Sequence, residues 1–259
     1  MQPDSYDHGV PSWVDLGTPD LPGTAAFYGS LFGWDCPEGP AEAGGYRVCT
    51  LNGRTVAGLG PQMNPDFPPA WLTYVDVDDA DAAAAAVGAA GGNALMPVMD
   101  VMEAGRMGLF ADTSGAVFGI WQPGQHPGAG IVNEPGALCW NELVSTDLEA
   151  SLAFYPKVFG WGVSPQPPEG PLQYGEWKLA DRTIGGVMPK PPGVPAEVPS
   201  YWGVYFAVTD TDEAVAKATG LGATLLMPPT DIEPGRFAML VDPVGATFSV
   251  IALSEARSQ

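Results

Sequence analysis

The sequence predicts an α+β protein of two tandem modules, each made of two βαβββ units, and three observations carry that prediction. Trp13-x-Asp15-Leu16, Asp20, Phe27-Tyr28 and Phe32-Gly33-Trp34 return as Trp140-x-Glu142-Leu143, Asp147, Phe154-Tyr155 and Phe159-Gly160-Trp161, every residue displaced by 127 positions. A repeat of that length means two whole modules rather than a solenoid of short units. Within each copy, strand and helix signals alternate in the same order twice. The 259 residues, 46% of them apolar, are enough for two domains of ordinary size.

The elements follow in order. Residues 12–18 alternate as a strand, and Asp20 places a carboxylate at the N-cap of a helix that runs to Phe32 and ends at Gly33. Residues 46–51 and 55–59 read as two strands around Asn52-Gly53, a strong short hairpin signal. A second unit opens with the strand 71–77, passes through the Ala-rich helix starting near Asp79, and ends in strands at 108–111 and 116–121. Met96, Met99, Met102 and Met107 crowd what reads as a loop before the penultimate strand, where thioethers either shape a pocket wall or fill gaps. Asp100 and its counterpart Asp231 are expected to brace a turn there.

Residues 122–136 hold Pro-Gly, His-Pro, Gly-Ala-Gly and Glu-Pro-Gly without periodicity, and read as a connector. The expected organisation is a tail 1–10, a first module 11–121, the connector 122–136, a second module 137–254 and a tail 255–259. In the second module the strand 202–208 and the cap Asp210 repeat the first, with the offset grown to 131 by insertions near Pro191–Pro199. Insertions of that kind belong in loops.

Thirty acidic against ten basic residues give a formal charge of −20, which repels phosphate backbones and anionic membrane surfaces. Nucleic acid and membrane are therefore not expected as partners, and no apolar run approaches the roughly 20 residues of a membrane span. The acidity serves solubility or draws in a cationic ligand. Cys36, Cys49 and Cys139 show no paired or metal-like spacing and read as free thiols. The start of the chain lacks the basic and apolar stretches of a secretion signal, so a cytoplasmic location is expected.

Asp20…Phe27-Tyr28…Phe32-Gly33-Trp34 near the start of a module, with Gly235-Arg236-Phe237-Ala238…Asp242-Pro243-Val244-Gly245 near its end, resembles the glyoxalase/bleomycin-resistance (vicinal oxygen chelate) superfamily. The first module shows Gly105-Arg106…Asp112-Thr113-Ser114-Gly115 and lacks the proline. The resemblance covers almost all of the chain. It implies that each module curls into a half-open β-barrel with helices outside, whose cavity holds a divalent metal or a bulky organic ligand.

The first metal-ligand position of that family stands seven residues before the capping Asp, which falls here on Trp13 and Trp140. Indole is a donor only and cannot ligate. The carboxylate position, seven residues after the Asp of the terminal turn, falls on Gly119 and Ser249. A further one falls on Leu72 and Gly203, or with a slip of one on Trp71 and Trp202. His8 and His126 lie outside the strands. No metal or other cofactor is expected; a metal would need an unusual oxygen set from residues such as Asp15, Glu142 or Glu176.

Alternation puts Asp15 on the face of Trp13 and Glu142 on that of Trp140. A Trp and a carboxylate in each half fit a flat or partly cationic organic molecule, and a desolvated carboxyl is a candidate general acid or base. Asp15 and Glu142 are the catalytic candidates. The ligand-binding candidates are Trp13, Trp140, Tyr174, Glu176, Trp177, Trp121, Ser249 and Tyr205. The alternative is that both tryptophans fill the metal space as packing. The functions that remain open are a metal-free tailoring enzyme (isomerisation, cyclisation or accessory hydroxylation), a drug- or metabolite-binding protein, or a metal-dependent lactoylglutathione-lyase-like enzyme. The chain is expected to work on a small molecule, as a monomer or homodimer, and the less symmetric second module is the preferred site.

Overall fold

The computed structural model of the chain describes residues 1–164 and 173–254; the expected tail 255–259 lies outside them. The first half runs β1 (Pro11–Thr18), α1 (Leu21–Phe32), β2 (Arg47–Leu51), β3 (Arg54–Pro61), β4 (Ala70–Asp76), α2 (Ala80–Ala89), β5 (Asn93–Val101), β6 (Gly105–Ala111) and β7 (Val117–Pro123). The second runs β8 (Leu138–Ser145), α3 (Leu148–Phe159), β9 (Gly162–Val163), β10 (Gly175–Leu179), β11 (Arg182–Pro189), β12 (Tyr201–Ala207), α4 (Thr211–Gly220), β13 (Thr224–Ile232), β14 (Gly235–Val241) and β15 (Thr247–Leu253). Each half forms one mixed sheet, ordered β2-β3-β1-β4-β7-β6-β5 and β13-β14-β15-β12-β8-β11-β10-β9. In both, the opening strands of the two units pair antiparallel at the centre, β1 with β4 and β8 with β12.

Local chemistry places these elements. Asp20 and Asp147 cap α1 and α3 by accepting from Gly23 N and Ala150 N, and Gly33 and Gly160 end them in the left-handed region. Asn52 (φ 53°) and Gly53 (φ 76°) both turn left-handed between β2 and β3, the conformation that a two-residue hairpin requires.

Two readings of local structure are corrected. The segment around Met96–Met102 is not a loop for most of its length but the edge strand β5, matched by β13. Pro97 and Pro228-Pro229, with bulges on both strands, hide the strand pattern while blunting these edges against further pairing. Asp100 and Asp231 accordingly do not brace a turn; they pair across the ladder with Arg106 (3.0 Å) and Arg236 (2.9 Å). In the first unit of the first half, the first of the three strands after the helix is reduced to a single bridge, Asp35 with Thr50.

That bridge has a covalent consequence. It sets residue 36 beside residue 49, and Cys36 and Cys49 form a disulfide; Cys139 alone is a free thiol. The expectation of three free thiols is therefore overturned, because a contact made by folding is not visible as a sequence spacing. The thiol argument for a reducing compartment falls with it. Among the described residues, no helix is long and apolar enough to cross a membrane.

The two sheets are locked through their outer faces. Helix α1 lies in one core with Val204, Phe206, Phe248 and Val250 of the second half. Helix α3 lies in the reciprocal core with Val75, Phe118 and Ile120 of the first. The repeated Phe-Tyr pairs explain themselves here. Tyr28 donates to Asp242 Oδ2 (3.0 Å) and accepts from Trp71 Nε1 (3.0 Å), while Tyr155 donates to Asp112 Oδ2 (2.9 Å) and accepts from Trp202 Nε1 (2.9 Å). Each tyrosine thus bonds the turn aspartate of the other half. Those aspartates also cap their own turns, accepting from Ala116 N and Ala246 N.

Candidate ligand-binding site

With the outer faces committed to the junction, strand parity turns the alternate side chains to the inner face of each half-barrel. Cross-strand register lines up Trp13 with Tyr74 and Gly119 in the first half, and Trp140 with Tyr205 and Ser249 in the second. One row further, Val48, Gly58, Asp15 and Leu72 answer to Glu176, Gly186, Glu142 and Gly203. Leu72 and Gly203 are therefore inner-face positions, whereas Trp71 and Trp202 belong to the junction.

Each row carries the same hydrogen-bonded chain. Trp13 Nε1 donates to Tyr46 Oη (2.9 Å), which donates to Asp15 Oδ2 (3.1 Å). Trp140 Nε1 donates to Tyr174 Oη (3.0 Å), and Tyr174 bonds Glu142, whose Oε1 also accepts from Tyr205 Oη (2.8 Å). Because indole only donates, it occupies the phenol as acceptor and leaves the phenol proton aimed at the carboxylate. Gly58 and Gly186 make this possible, since a Cβ at either would collide with the tyrosine hydroxyl above it.

The two inner faces differ in what covers them. In the first half, Trp13 (4% exposed), Tyr74 and Trp121 form a closed cluster with Ala129 of the connector. His126 packs edge-on against Trp13, ring centroids 4.4 Å apart, and its backbone carbonyl accepts from Trp121 Nε1 (2.8 Å). The N-terminal tail holds this cover in place: Tyr6 Oη donates to Ala129 O (2.6 Å), and the Met1 ammonium donates to Val132 O (2.9 Å). The connector is thus a plug as well as a link. In the second half no such cluster forms among the described residues; Trp140 and Tyr201 are half-buried and Tyr174 is 45% exposed.

The predicted site residues sort accordingly. Trp140, Glu142, Tyr174, Glu176, Tyr205 and Ser249 share the inner face of the second half. Trp13, Asp15 and Trp121 share that of the first, under the plug, so Trp121 is not at the uncovered face. Trp177 is corrected outright: it sits on the opposite side of β10, fully buried between Tyr155 and Trp161 in the junction core. The alternation of β10 decides this, because Glu176 and Trp177 cannot face the same way. Sequence reasoning missed Tyr74 and Tyr201, and it missed His126 as a packing residue; the 131-residue offset that pairs Trp71 with Trp202 also pairs Tyr74 with Tyr205. Surface depressions beside Pro189–Val194 and beside Asp20 and Pro243 involve none of these groups.

The positions that hold a divalent metal in the resembling family carry Trp13, Leu72 and Gly119 here, and Trp140, Gly203 and Ser249. That donor set does not fit a metal ion. Among the described residues, no group of three or more His, Cys, Asp or Glu side chains is placed to hold one.

Burial sets the protonation chemistry. Desolvation pushes the Asp15 carboxyl up to about 7, against the lowering effect of its bonds from Tyr46 and Tyr74. It raises Glu142 likewise, against Tyr205 and Tyr174. Asp76, buried at the end of β4 with Oδ2 unpartnered, is pushed up to about 7 by desolvation and by nearby Asp78 and Asp7. Under the plug, burial lowers His126 to about 4.

The sign of the pH dependence follows. Asp15 and Asp76 bind protons in the native state at a pH where the unfolded chain has released them, so their contribution is full below about 4 and is lost as pH rises towards 7. His126 acts oppositely, charging first in the unfolded state between about 6.5 and 4. Two raised carboxyls outweigh one lowered imidazole. Thermal melts should therefore show higher stability at pH 5.5 than at pH 8. Asp76→Asn should flatten the profile and His126→Gln should steepen it; a profile that rises towards pH 8 would contradict these burial assignments.

Comparison with known proteins fits this architecture. Residues 11–120 match the Glyoxalase/Bleomycin resistance protein/Dioxygenase superfamily, and residues 139–251 match the Glyoxalase-like domain. The chain is 44% identical to "Putative glyoxylase CFP32" of Mycobacterium tuberculosis, over 95% of each chain. It is 37% identical to "Anthracycline biosynthesis protein DnrV" of Streptomyces peucetius, over 95% of this chain and 94% of that one. In fold it is similar to the Mn(II)-bound glyoxalase from Novosphingobium aromaticivorans, with TM-score 0.65 and 17% identity over 98% of this chain and 87% of that one. It is also similar to the 2,3-dioxygenase LapB from Pseudomonas sp. KL28, with TM-score 0.68 and 14% identity over 95% and 93%. From its repeated motifs, its paired mixed sheets and these relatives, the chain belongs to the glyoxalase/bleomycin-resistance/dioxygenase superfamily as a member with two tandem modules.

Proposed function

We propose that the protein binds a small, largely apolar or aromatic metabolite on the inner face of the second half, without a metal, as part of natural-product tailoring. The observation that carries this reading is the unequal cover of two equivalent faces: the chain's own connector lies over Trp13 and Trp121, while among the described residues no such cluster closes over Trp140, Tyr174 and Tyr201, which stay partly exposed. Phe237 and Met239 extend the same face as an apolar wall, Met239 lying opposite Ser249. Aromatic burial supplies affinity there, and Glu142 supplies orientation. The relatives named for anthracycline biosynthesis, at 37% and 36% identity, favour a role in tailoring over general sequestration. In a catalytic version of this reading Glu142 moves the proton, since its raised carboxyl exchanges protons nearer neutrality than an exposed one.

The test is a titration of the intact chain with polycyclic aromatic ligands, followed by tryptophan fluorescence and calorimetry. The expected stoichiometry is one ligand per chain. Two equivalent ligands per chain, or no response to any of them, would overturn the reading.

A further inference from the structure

Glu142 is a buried carboxyl that accepts from ordered donors and, among the described residues, has no cation paired with it. Its side chain is 7% exposed and bonded by two phenols, Tyr205 and Tyr174. Trp140 fixes the direction of the second phenol by donating to its oxygen. These donors oppose the desolvation that raises the Glu142 carboxyl, and a cation brought beside it would complete the charge compensation that they only begin. Yet among the described residues no lysine, arginine or histidine pairs with it. Lys178, a neighbour on β10, is held by Glu176 at 2.8 Å and by Thr183. Around the carboxylate stand aromatic faces: Tyr205 lies against Phe237, ring centroids 6.2 Å apart, and Tyr201 is close enough to feel the Glu142 charge.

A buried carboxyl with ordered donors, aromatic walls and a partly exposed rim is the complement of an alkylammonium group on an apolar body. The ammonium can donate to the free lone pairs of Glu142 while its charge lies over the ring faces of the tyrosines. The net charge of −20 raises the local concentration of such cations. We infer that the ligand of the second half carries a protonated amine, seated on Glu142 between Tyr201 and Tyr205. This rests on the reading of that inner face as the binding site, and it adds the chemical class of the ligand. Tyr201 becomes a specificity residue that the repeat does not reveal, because its counterpart is Ala70 by the 131-residue offset.

The experiment uses two matched probes, 9-(aminomethyl)anthracene and its N-acetyl derivative, titrated into the intact chain by fluorescence. The rings are identical, and only the amine is charged at neutral pH. The amine should bind at least about tenfold more tightly than the amide, the gap narrowing as salt is raised. Glu142→Gln should bring the gap within about twofold, the amine losing far more affinity than the amide, and Glu142→Asp, which keeps the charge, should retain part of it. Equal affinities in the unmodified protein, or a gap that survives Glu142→Gln, would overturn the amine assignment and leave the binding face standing. Failure of both probes to bind would overturn the binding face and the amine assignment together.

Discussion

Tyr28→Phe should destabilise the whole chain by about 2–4 kcal/mol, and Tyr155→Phe should do so by a similar amount. Each substitution removes one oxygen and leaves two buried groups unpaired: Trp71 Nε1 and Asp242 Oδ2 in the first case, Trp202 Nε1 and Asp112 Oδ2 in the second. An unsatisfied buried polar group costs roughly 1–3 kcal/mol, more than the net worth of a hydrogen bond that water can replace. For a chain of this size the loss corresponds to a fall in Tm of roughly 5–15 °C. The tyrosine and the aspartate of each pair lie in different halves, so a change made in one half should lower a single shared transition. The double variant should lose about the sum, since the two clusters are separate. Calorimetric melts that split into two transitions, with only the substituted half affected, would show that the halves unfold independently.

Trp13→Ala and Trp140→Ala should have opposite consequences although the repeat makes them equivalent. Trp13 is 4% exposed, packed against His126 and bonded to Tyr46, so its truncation should cost about 3–5 kcal/mol of stability, the usual range for a buried tryptophan. Collapse of the plug onto the vacated space keeps the cost from rising further. Trp140 is half-buried and carries no connector on its ring. Its loss should cost ~1 kcal/mol or less of stability. Ligand affinity, however, should fall by about 2 kcal/mol, roughly thirtyfold, as for an aromatic anchor of a binding surface. Chemical denaturation and ligand titration of both variants separate the two effects. Equal loss of stability would mean that both tryptophans are core, and equal loss of binding would mean that both faces receive ligand.

Much of the fold was legible because repetition multiplies weak signals. Asp20 with Asp147, and Gly33 with Gly160, mark helix ends by chemistry that works locally, and Asn52-Gly53 marks its turn in the same way. The edge strands β5 and β13 escaped because their prolines and bulges break the alternation on which strand reading depends. The Cys36–Cys49 disulfide and the Tyr–Asp locks escaped because they are contacts between distant segments; the motifs that form the locks were visible, but their partners were not.

The candidate site was legible in its parity and not in its cover. Trp13 with Asp15 and Trp140 with Glu142 follow from alternation alone, whereas Gly119 and Ser249 come into question for a metal only through the family resemblance, and their chemistry makes them unsuitable. Glu176 and Trp177 cannot both be ligand-binding residues of one face, because adjacent residues on β10 face opposite ways. What alternation cannot show is that His126 and Ala129, in a connector without periodicity, fold back over one face while, among the described residues, no equivalent cluster covers the other. That asymmetry, rather than any residue difference within the repeat, distinguishes the two halves most strongly.

The most direct test is fluorine NMR of the chain labelled with 5-fluorotryptophan, whose eight tryptophans are assigned by single substitution. On titration with a bound aromatic ligand, the Trp140 resonance should shift or broaden while those of Trp13 and Trp121 stay in place. A response at Trp13, alone or together with Trp140, would contradict a plugged first face and a single binding face in the second half.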